Sequence, residues 1–228
     1  MVISIFCIGD LHLSLSVDKP MDIFKGWDNY TERIEKNWQI SVTENDVVVI
    51  PGDVSWGLKL EETLEDFKFL NSLPGKKVII KGNHDLWWNS MTKMTKFLNE
   101  NELDSISFVH NSCYPVGEYA VCGSRGWFFE TEGHSKKIIL REAGRLEASI
   151  SSAEELGLKP LVFLHYPPAW NNDVCFELLE VLKKHKIDEV WHGHIHGHQK
   201  DFANYSAEGI KFHLISCDCL NFSPRLIK

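Results

Sequence analysis

The sequence predicts an α/β fold, a sheet core with helices outside it and at least one antiparallel section. Three observations predict it. Short apolar runs bounded by turn residues recur near 2–8, 46–50, 77–81, 106–109, 118–123, 160–165, 189–192 and 211–216, with the length and punctuation of strands. One-sided apolar stripes at helical spacing lie between several of them. Five of the runs end in polar residues able to bind a metal, and the carboxyl ends of strands are where open α/β sheets carry their sites.

In chain order, Val2–Ile8 runs into Gly9-Asp10-Leu11-His12. Leu13 to Asp28 shows no periodicity and is expected to loop over the rim of a site. Tyr30, Ile34 and Trp38 step by four, as a helix packed on a sheet requires. Val47–Ile50 leads to Gly52-Asp53, and Leu60, Leu64, Phe67 and Leu70 form the next helical stripe. Val78–Ile80 leads to Gly82-Asn83-His84-Asp85, so the first half reads βαβαβα. Residues 106–123 read as adjacent strands without a helix. Ile139, Ala143, Leu146, Ile150 and Ala153 mark a long helix before Leu161–Leu164, which ends in His165. Val174, Leu178, Val181 and His185 mark another helix, and Val190-Trp191 then leads to Gly193-His194-Ile195-His196. There is no internal repeat, low-complexity tract or linker, so a single domain over 1–228 is expected.

A chain of 228 residues, 43% apolar and 25% charged, can bury a core without staples. Its formal charge of −8 argues against extended nucleic-acid binding, which needs a basic surface. The six cysteines include no C-x-x-C pair; Cys7 and Cys122 sit in strand-like runs, and Cys217-x-Cys219 reads as two reduced thiols near the last strand. The apolar start lacks the basic region of a signal peptide. No segment reaches the ~20 apolar residues of a membrane span. A reduced cytoplasmic protein is the expectation.

The candidate ligands are Asp10, His12, Asp53, Asn83, His165, His194 and His196: carboxylate, amide and imidazole, without thiolate. Such a mixed oxygen and nitrogen set suits Mn, Fe or Zn. Seven ligands are too many for one ion and suit two divalent ions sharing one carboxylate. Two such ions, about 3.5–4 Å apart, can hold a bridging hydroxide and clamp an in-line displacement at phosphorus. The leaving oxygen then needs a proton donor. His84, beside Asn83, is expected to fill that role, with Asp85 fixing its tautomer.

Asp10-x-His12, Gly52-Asp53, Gly82-Asn83-His84-Asp85, His165 and Gly193-His194-x-His196 resemble, in order, the motif set of calcineurin-like metallophosphoesterases. The resemblance runs from residue 9 to 196. It implies a four-layer α/β/β/α sandwich. It implies one ion on Asp10, His12, Asp53 and His196, a second on Asp53, Asn83, His165 and His194, and a transition-state role for His84. Gly123-Ser124-Arg125-Gly126-Trp127 and the ending Phe212–Pro224 look like a bacterial branch of predicted phosphohydrolases in that family. The implied activity is hydrolysis of phosphomonoesters or phosphodiesters; the short chain without an extra substrate domain and its acidic charge point to a small phosphorylated substrate such as a nucleotide.

Blander readings stand beside these. Arg125, in a Gly-rich turn after a strand, either grips a substrate phosphate or is an ordinary surface or ion-paired residue. The H-x-H register near 192–198 is ambiguous; the Gly before His194 favours 194 and 196 over His192 and His198. His110, His134, His185 and His213 read as structural or solvated, and Trp56, Trp87, Trp88 and Trp170 as walls supporting the ligand loops. Two other functions fit the class: another dinuclear metallohydrolase, whose H-x-H-x-D-H signature is absent, and an inactive scaffold of the same fold, which has no chemical need for His84.

Overall fold

Alternation along the strands decides the layering. In the computed structural model, which describes residues 3–127, 136–171, 173–197 and 204–228, β1 (Ile5–Cys7), β2 (Val47–Pro51), β3 (Lys76–Ile80) and β4 (Ile106–Val109) run parallel in one sheet, with β13 (Arg225–Leu226) antiparallel on β1. Phe6, Ile8, Val48, Ile50 and Ile79 face one way and pack with the stripes of α1 (Tyr30–Ser41), α2 (Leu64–Ser72) and α3 (Met91–Glu100). Ile5, Cys7, Val47, Val49, Val78 and Ile80 face the other way and meet a second sheet. A side-chain period of two thus splits each strand between two cores.

The second sheet has the order β11-β12-β10-β7-β6-β5. Its strands β6 (Tyr119–Ser124), β7 (Lys159–Leu164), β10 (Glu189–His192) and β12 (Ile210–Leu214) are parallel, and β5 (Tyr114–Val116) and β11 (Asn204–Ala207) flank them antiparallel. Val121, Leu161, Phe163 and Trp191 point into the layer shared with the first sheet. Cys122, Val162, Leu164, Val190 and Phe212 pack outward on α4 (Lys136–Glu155) and α5 (Phe176–Lys184). A small hairpin of β8 (Ala169–Trp170) and β9 (Asp173–Val174) precedes α5. The result is the α/β/β/α sandwich, with two mixed sheets in the middle.

Two elements differ from the sequence reading. Residues 106–123 are strands, as expected, but not one group of neighbours: β4 closes the first sheet, and the β5–β6 hairpin opens the second. The helix near 174–185 begins only at Phe176, because Val174 is paired in β9. Its buried face is therefore Leu178, Leu179 and Leu182 rather than the stripe through Val174 and Val181. The irregular stretch from Leu13 to Asp28 does border a cleft, to which it contributes Met21, Phe24 and Trp27.

Phe163 is fully buried between the sheets and stacks on Trp191 with centroids 5.3 Å apart. Phe163→Ala is expected to lower unfolding free energy by about 3–5 kcal/mol. Urea denaturation checks this, and a loss below about 1 kcal/mol would mean that the inter-sheet layer collapses around the void.

Candidate metal centre

Five strand ends meet at one edge of the sandwich. Asp10 and His12 follow β1, Asp53 follows β2, and Asn83 and His84 follow β3, all from the first sheet; His165 follows β7, and His194 and His196 follow β10, from the second. The turns are bent sharply to aim these side chains. Asp10, His12, Asp53 and His194 hold positive φ values of 56°, 48°, 52° and 72°. That region is sparsely populated by non-glycine residues, though Asp and His tolerate it better than most, and such residues persist only where surroundings over-determine them. Backbone bonds do so here: Asp10 N–H donates to Gly52 O at 3.1 Å and His12 N–H to Asp53 O at 2.9 Å. Two motif glycines make room: a Cβ on Gly82 would strike Asp53, and one on Gly193 would strike the Asp10 carboxylate.

The ligand atoms converge. Among the described residues, ligand atoms of Asp10, His12 and His196 lie mutually within 4.8 Å, as do those of Asp10, Asp53 and His165. Asp53 Oδ2 is 3.9 Å from His12 Nε2 and 3.5 Å from His165 Nε2. Asp10 Oδ1 is 3.9 Å from His196 Nε2 and 3.7 Å from His165 Nδ1. Asn83 Oδ1 lies 2.5 Å from His165 Nε2 and 3.0 Å from His194 Nδ1. All seven expected ligands therefore stand in one cluster.

Tautomers separate the ligand contacts from the bracing ones. A carbonyl only accepts, so His165 Nδ1–H donates to Pro51 O at 3.1 Å and leaves Nε2 as a bare lone pair toward Asp53 and Asn83. Asp10 approaches His165 on the protonated side, so Asp53 rather than Asp10 is the carboxylate aimed at free nitrogens from both groups. His196 likewise gives Nδ1 to Asp218 Oδ1 at 3.0 Å and turns Nε2 to within 3.3 Å of His12 Nε2. The His12–His196 contact is a hydrogen bond while one of the two nitrogens carries a proton, and with both bare the two lone pairs are placed to share a cation. The donor set, carboxylate, imidazole and amide, fits hard or borderline divalent ions.

Electrostatics point the same way. Burial raises the Asp10 carboxyl, and burial followed by the charges of Asp85 and Asp10 pushes Asp53 well above the usual carboxylate range. Burial also holds His12 and His165 well below the usual imidazole value, with neighbouring imidazoles adding to it. Without cations, charge is thus costly on Asp10, His12, Asp53 and His165; a divalent ion inverts that balance. His196 goes the other way: burial lowers it, but the hydrogen bond to Asp218 and the charge of Asp10 outweigh burial and raise it.

His84 borders the cleft, with its ring 4.5 Å from Trp56 and 5.7 Å from His12, and its N–H donates to Asp53 Oδ1 at 2.8 Å. Asp85 has a different task from the expected one. Its fully buried carboxylate accepts Val54 N–H (2.9 Å) and Trp87 Nε1–H (3.1 Å) on one oxygen, and Asp53 N–H (3.0 Å) and Gly82 N–H (2.7 Å) on the other. Four donors fill its four lone-pair sites, so it braces the loops rather than orienting His84. Arg125 faces a buried acid: Glu142 Oε1 receives Arg145 Nη1 at 2.9 Å, Arg125 Nη2 at 3.4 Å and Arg141 Nε at 3.5 Å. The pairing alternative describes it, and the phosphate grip has no contact at the cleft.

Trp56 stacks on His12 at 4.8 Å and Trp87 is buried, both supporting ligand loops. His192 is fully buried, with Nδ1 at 3.0 Å from Gly193 O and Nε2 at 3.0 Å from Tyr205 Oη. His134 and His198 lie outside the described residues. Sequence reasoning missed Asp218, which also accepts Gly197 N–H at 2.8 Å, and Tyr166, whose ring lies 4.1 Å from that of His194. Asp218 had a signal: Ile210–Leu214 alternates apolar residues with Lys211 and His213 as a strand does, and Ser216 and Asp218 follow its end.

Comparison with known proteins gives the family and the fold. The model of the family described as calcineurin-like phosphoesterase matches residues 3–198. Among solved structures, a protein of Thermus thermophilus superposes with a TM-score of 0.60 at 14% identity, covering 100% of this chain and 99% of that one. A phosphopantetheinyl hydrolase from Mycobacterium tuberculosis gives 0.54 at 13% identity over 99% of this chain and 96% of its own. A protein of unknown function from Aquifex aeolicus gives 0.50 at 16% identity over 98% and 95%. At such identities the likeness is one of fold. No curated protein matches the sequence significantly. With the family model spanning all five ligand segments, this chain belongs to the calcineurin-like phosphoesterase family.

Proposed function

We propose that the protein is a dinuclear metal-dependent phosphoesterase acting on a small phosphorylated substrate. One observation carries this reading: Asp53 Oδ2 stands between His12 Nε2 at 3.9 Å and His165 Nε2 at 3.5 Å, nitrogens delivered from opposite sheets. A single carboxylate so placed is what two neighbouring cations share. Asp10, His12, Asp53 and His196 would hold one, and Asp53, Asn83, His165 and His194 the other. Mn, Fe and Zn all accept these donors. When bound, such a pair supplies Lewis acidity toward a phosphoryl oxygen and activates water near neutral pH.

The chain's own residues do the rest. Asp10 is held by His194 N–H at 2.9 and 3.1 Å on its two oxygens, and Asp53 by His84 N–H, so neither carboxylate is free to swing. On α2, Asp66 accepts Leu15 N–H at 2.7 Å and Ser55 Oγ–H at 2.5 Å, which pins the segments following His12 and Asp53. His84 is the group at the cleft that hands a proton to the departing oxygen. Asp218 is a positioning residue: it keeps the His196 proton on Nδ1 and the Nε2 lone pair toward the centre.

No described helix is long and apolar enough to cross a membrane. All six cysteines are free thiols, five of them buried, which supports a reducing, cytoplasmic setting.

Three outcomes test the reading. In Asp53→Asn, elemental analysis after loading with Mn²⁺ should find fewer than two equivalents retained and turnover of phosphate esters nearly abolished; a fully loaded, active variant removes Asp53 from the shared position. His84→Ala should keep its metal while kcat on a poor leaving group falls by roughly 10²–10⁴. Metal loss there would make His84 a ligand instead. Asp218→Asn should weaken one of the two Mn²⁺ binding events by roughly 10–100-fold in a calorimetric titration. Unchanged affinities for both would leave His196 oriented by other means.

A further inference from the structure

The ligand cluster forms only part of the floor of a cleft of about 790 Å³. A phosphoryl group occupies a small part of that space, so the remainder must hold the organic portion of whatever binds. Its character is written in the opposite wall. That wall comes from the irregular stretch before α1, which contributes Met21, Phe24, Lys25 and Trp27, and from Phe222 near the C-terminus.

The wall is built rather than loose. Trp27 packs edge-on against Tyr30 at 5.5 Å and against Phe222 at 5.2 Å, and its ring lies 6.0 Å from His12 and 5.8 Å from His196. Arg33, on α1, donates to Gly26 O at 2.8 Å and holds its guanidinium 4.1 Å above the Phe222 ring. The segment is thus anchored to the helix on one side and to the ligand histidines on the other. Against this support Phe24 is left 53% exposed at the cleft, with Ile23 beside it at 74%. An exposed phenyl ring on a braced segment, a few residues from a metal-binding cluster, is apolar area held ready for a ligand. Lys25, Arg33, Asp218 and Asn221 also line the cleft and can meet polar groups near the phosphate. The Phe24 ring offers a hydroxyl no partner, so a ligand that covers it gains most with an apolar group there. Trp56 is not the docking ring, because one face stacks on His12 and Lys19 Nζ sits 4.9 Å from its ring centroid.

We propose that this cleft selects phosphoesters whose organic part carries a bulky apolar group, seated on the exposed Phe24 ring, which the buried Met21 and Trp27 border, while the phosphoryl group meets the ligand cluster. This rests on the phosphoesterase reading and deepens it to a substrate class. The apolar group is a flat ring or an alkyl chain, two sources of one chemistry.

Phosphonates separate this from the underlying reading, because they bind without being turned over. The full-length protein loaded with Mn²⁺ is titrated calorimetrically with ethylphosphonate, 2-phenylethylphosphonate and octylphosphonate. At least one of the two bulky compounds should bind tenfold or more tighter than ethylphosphonate, a gain of about 1.4 kcal/mol. The better of the two identifies ring or chain. In Phe24→Ser, an exposed position whose change does not touch the core, the ratio of bulky to ethyl affinity should fall at least fivefold. Equal affinity for all three compounds, or a ratio unmoved by Phe24→Ser, overturns the substrate class while the phosphoesterase reading stands. Binding of none of them overturns both.

Discussion

A buried carboxylate that accepts four N–H groups ties the turn after β2 to the turn after β3. Asp85 holds Asp53 and Val54 from one side and Gly82 and Trp87 from the other. The turn that carries Asn83 and His84 therefore cannot move independently of the one that carries Asp53. In so dry a place each of these N–H groups needs its acceptor, since an orphaned buried donor costs about 1–3 kcal/mol. The same bonds keep Asp53 at φ 52°, a conformation its own local preferences disfavour. The ligands of the first sheet are placed by this brace before any cation is considered.

A second tie joins the sheets themselves. Gly9 after β1 forms a parallel bridge with Ser216 after β12, and Gly9 N–H donates to Ile215 O while Cys217 N–H donates to Gly9 O. Cys217 Sγ–H reaches Asp10 O at 2.9 Å, and Asp218 takes the His196 imidazole. One short segment, itself offering no expected ligand, thus fixes the Asp10 main chain after one sheet and the His196 imidazole after the other. This explains how ligands separated by nearly the whole chain keep ångström-scale spacing.

The ligands are legible in the sequence because each is a polar residue close after an apolar run, and such a run has few other reasons to end that way. The task of Asp85 is not, because its partners are mostly backbone N–H groups across a turn, and nothing in a side-chain pattern reveals where a main chain will point. Arg125 is ambiguous for a related reason. Its partner, Glu142, lies 17 residues on in a helix and is turned wholly inward. Asp218 obeys the same strand-end rule as the others, but it follows a run that carries no motif histidine. The short edge strands β5, β11 and β13 give little alternation to detect, and Pro115 inside β5 argues against a strand unless it lies at an edge. Splitting 106–123 between two sheets is a long-range decision that local periodicity does not encode.

The division of ligands between the sheets has a mechanical consequence. Asp10, His12, Asp53 and Asn83 ride on one slab, and His165, His194 and His196 on the other, with Val49, Ile80, Leu161 and Phe163 as the filling between them. The thickness of that hydrocarbon filling sets the gap across which the ligands must agree. Because packed interiors yield little to changes in volume, adding or removing a methyl group there would shift one half of the constellation against the other. Residues without a single polar side-chain atom, none of them lining the cleft, thereby act as the spacers that calibrate it.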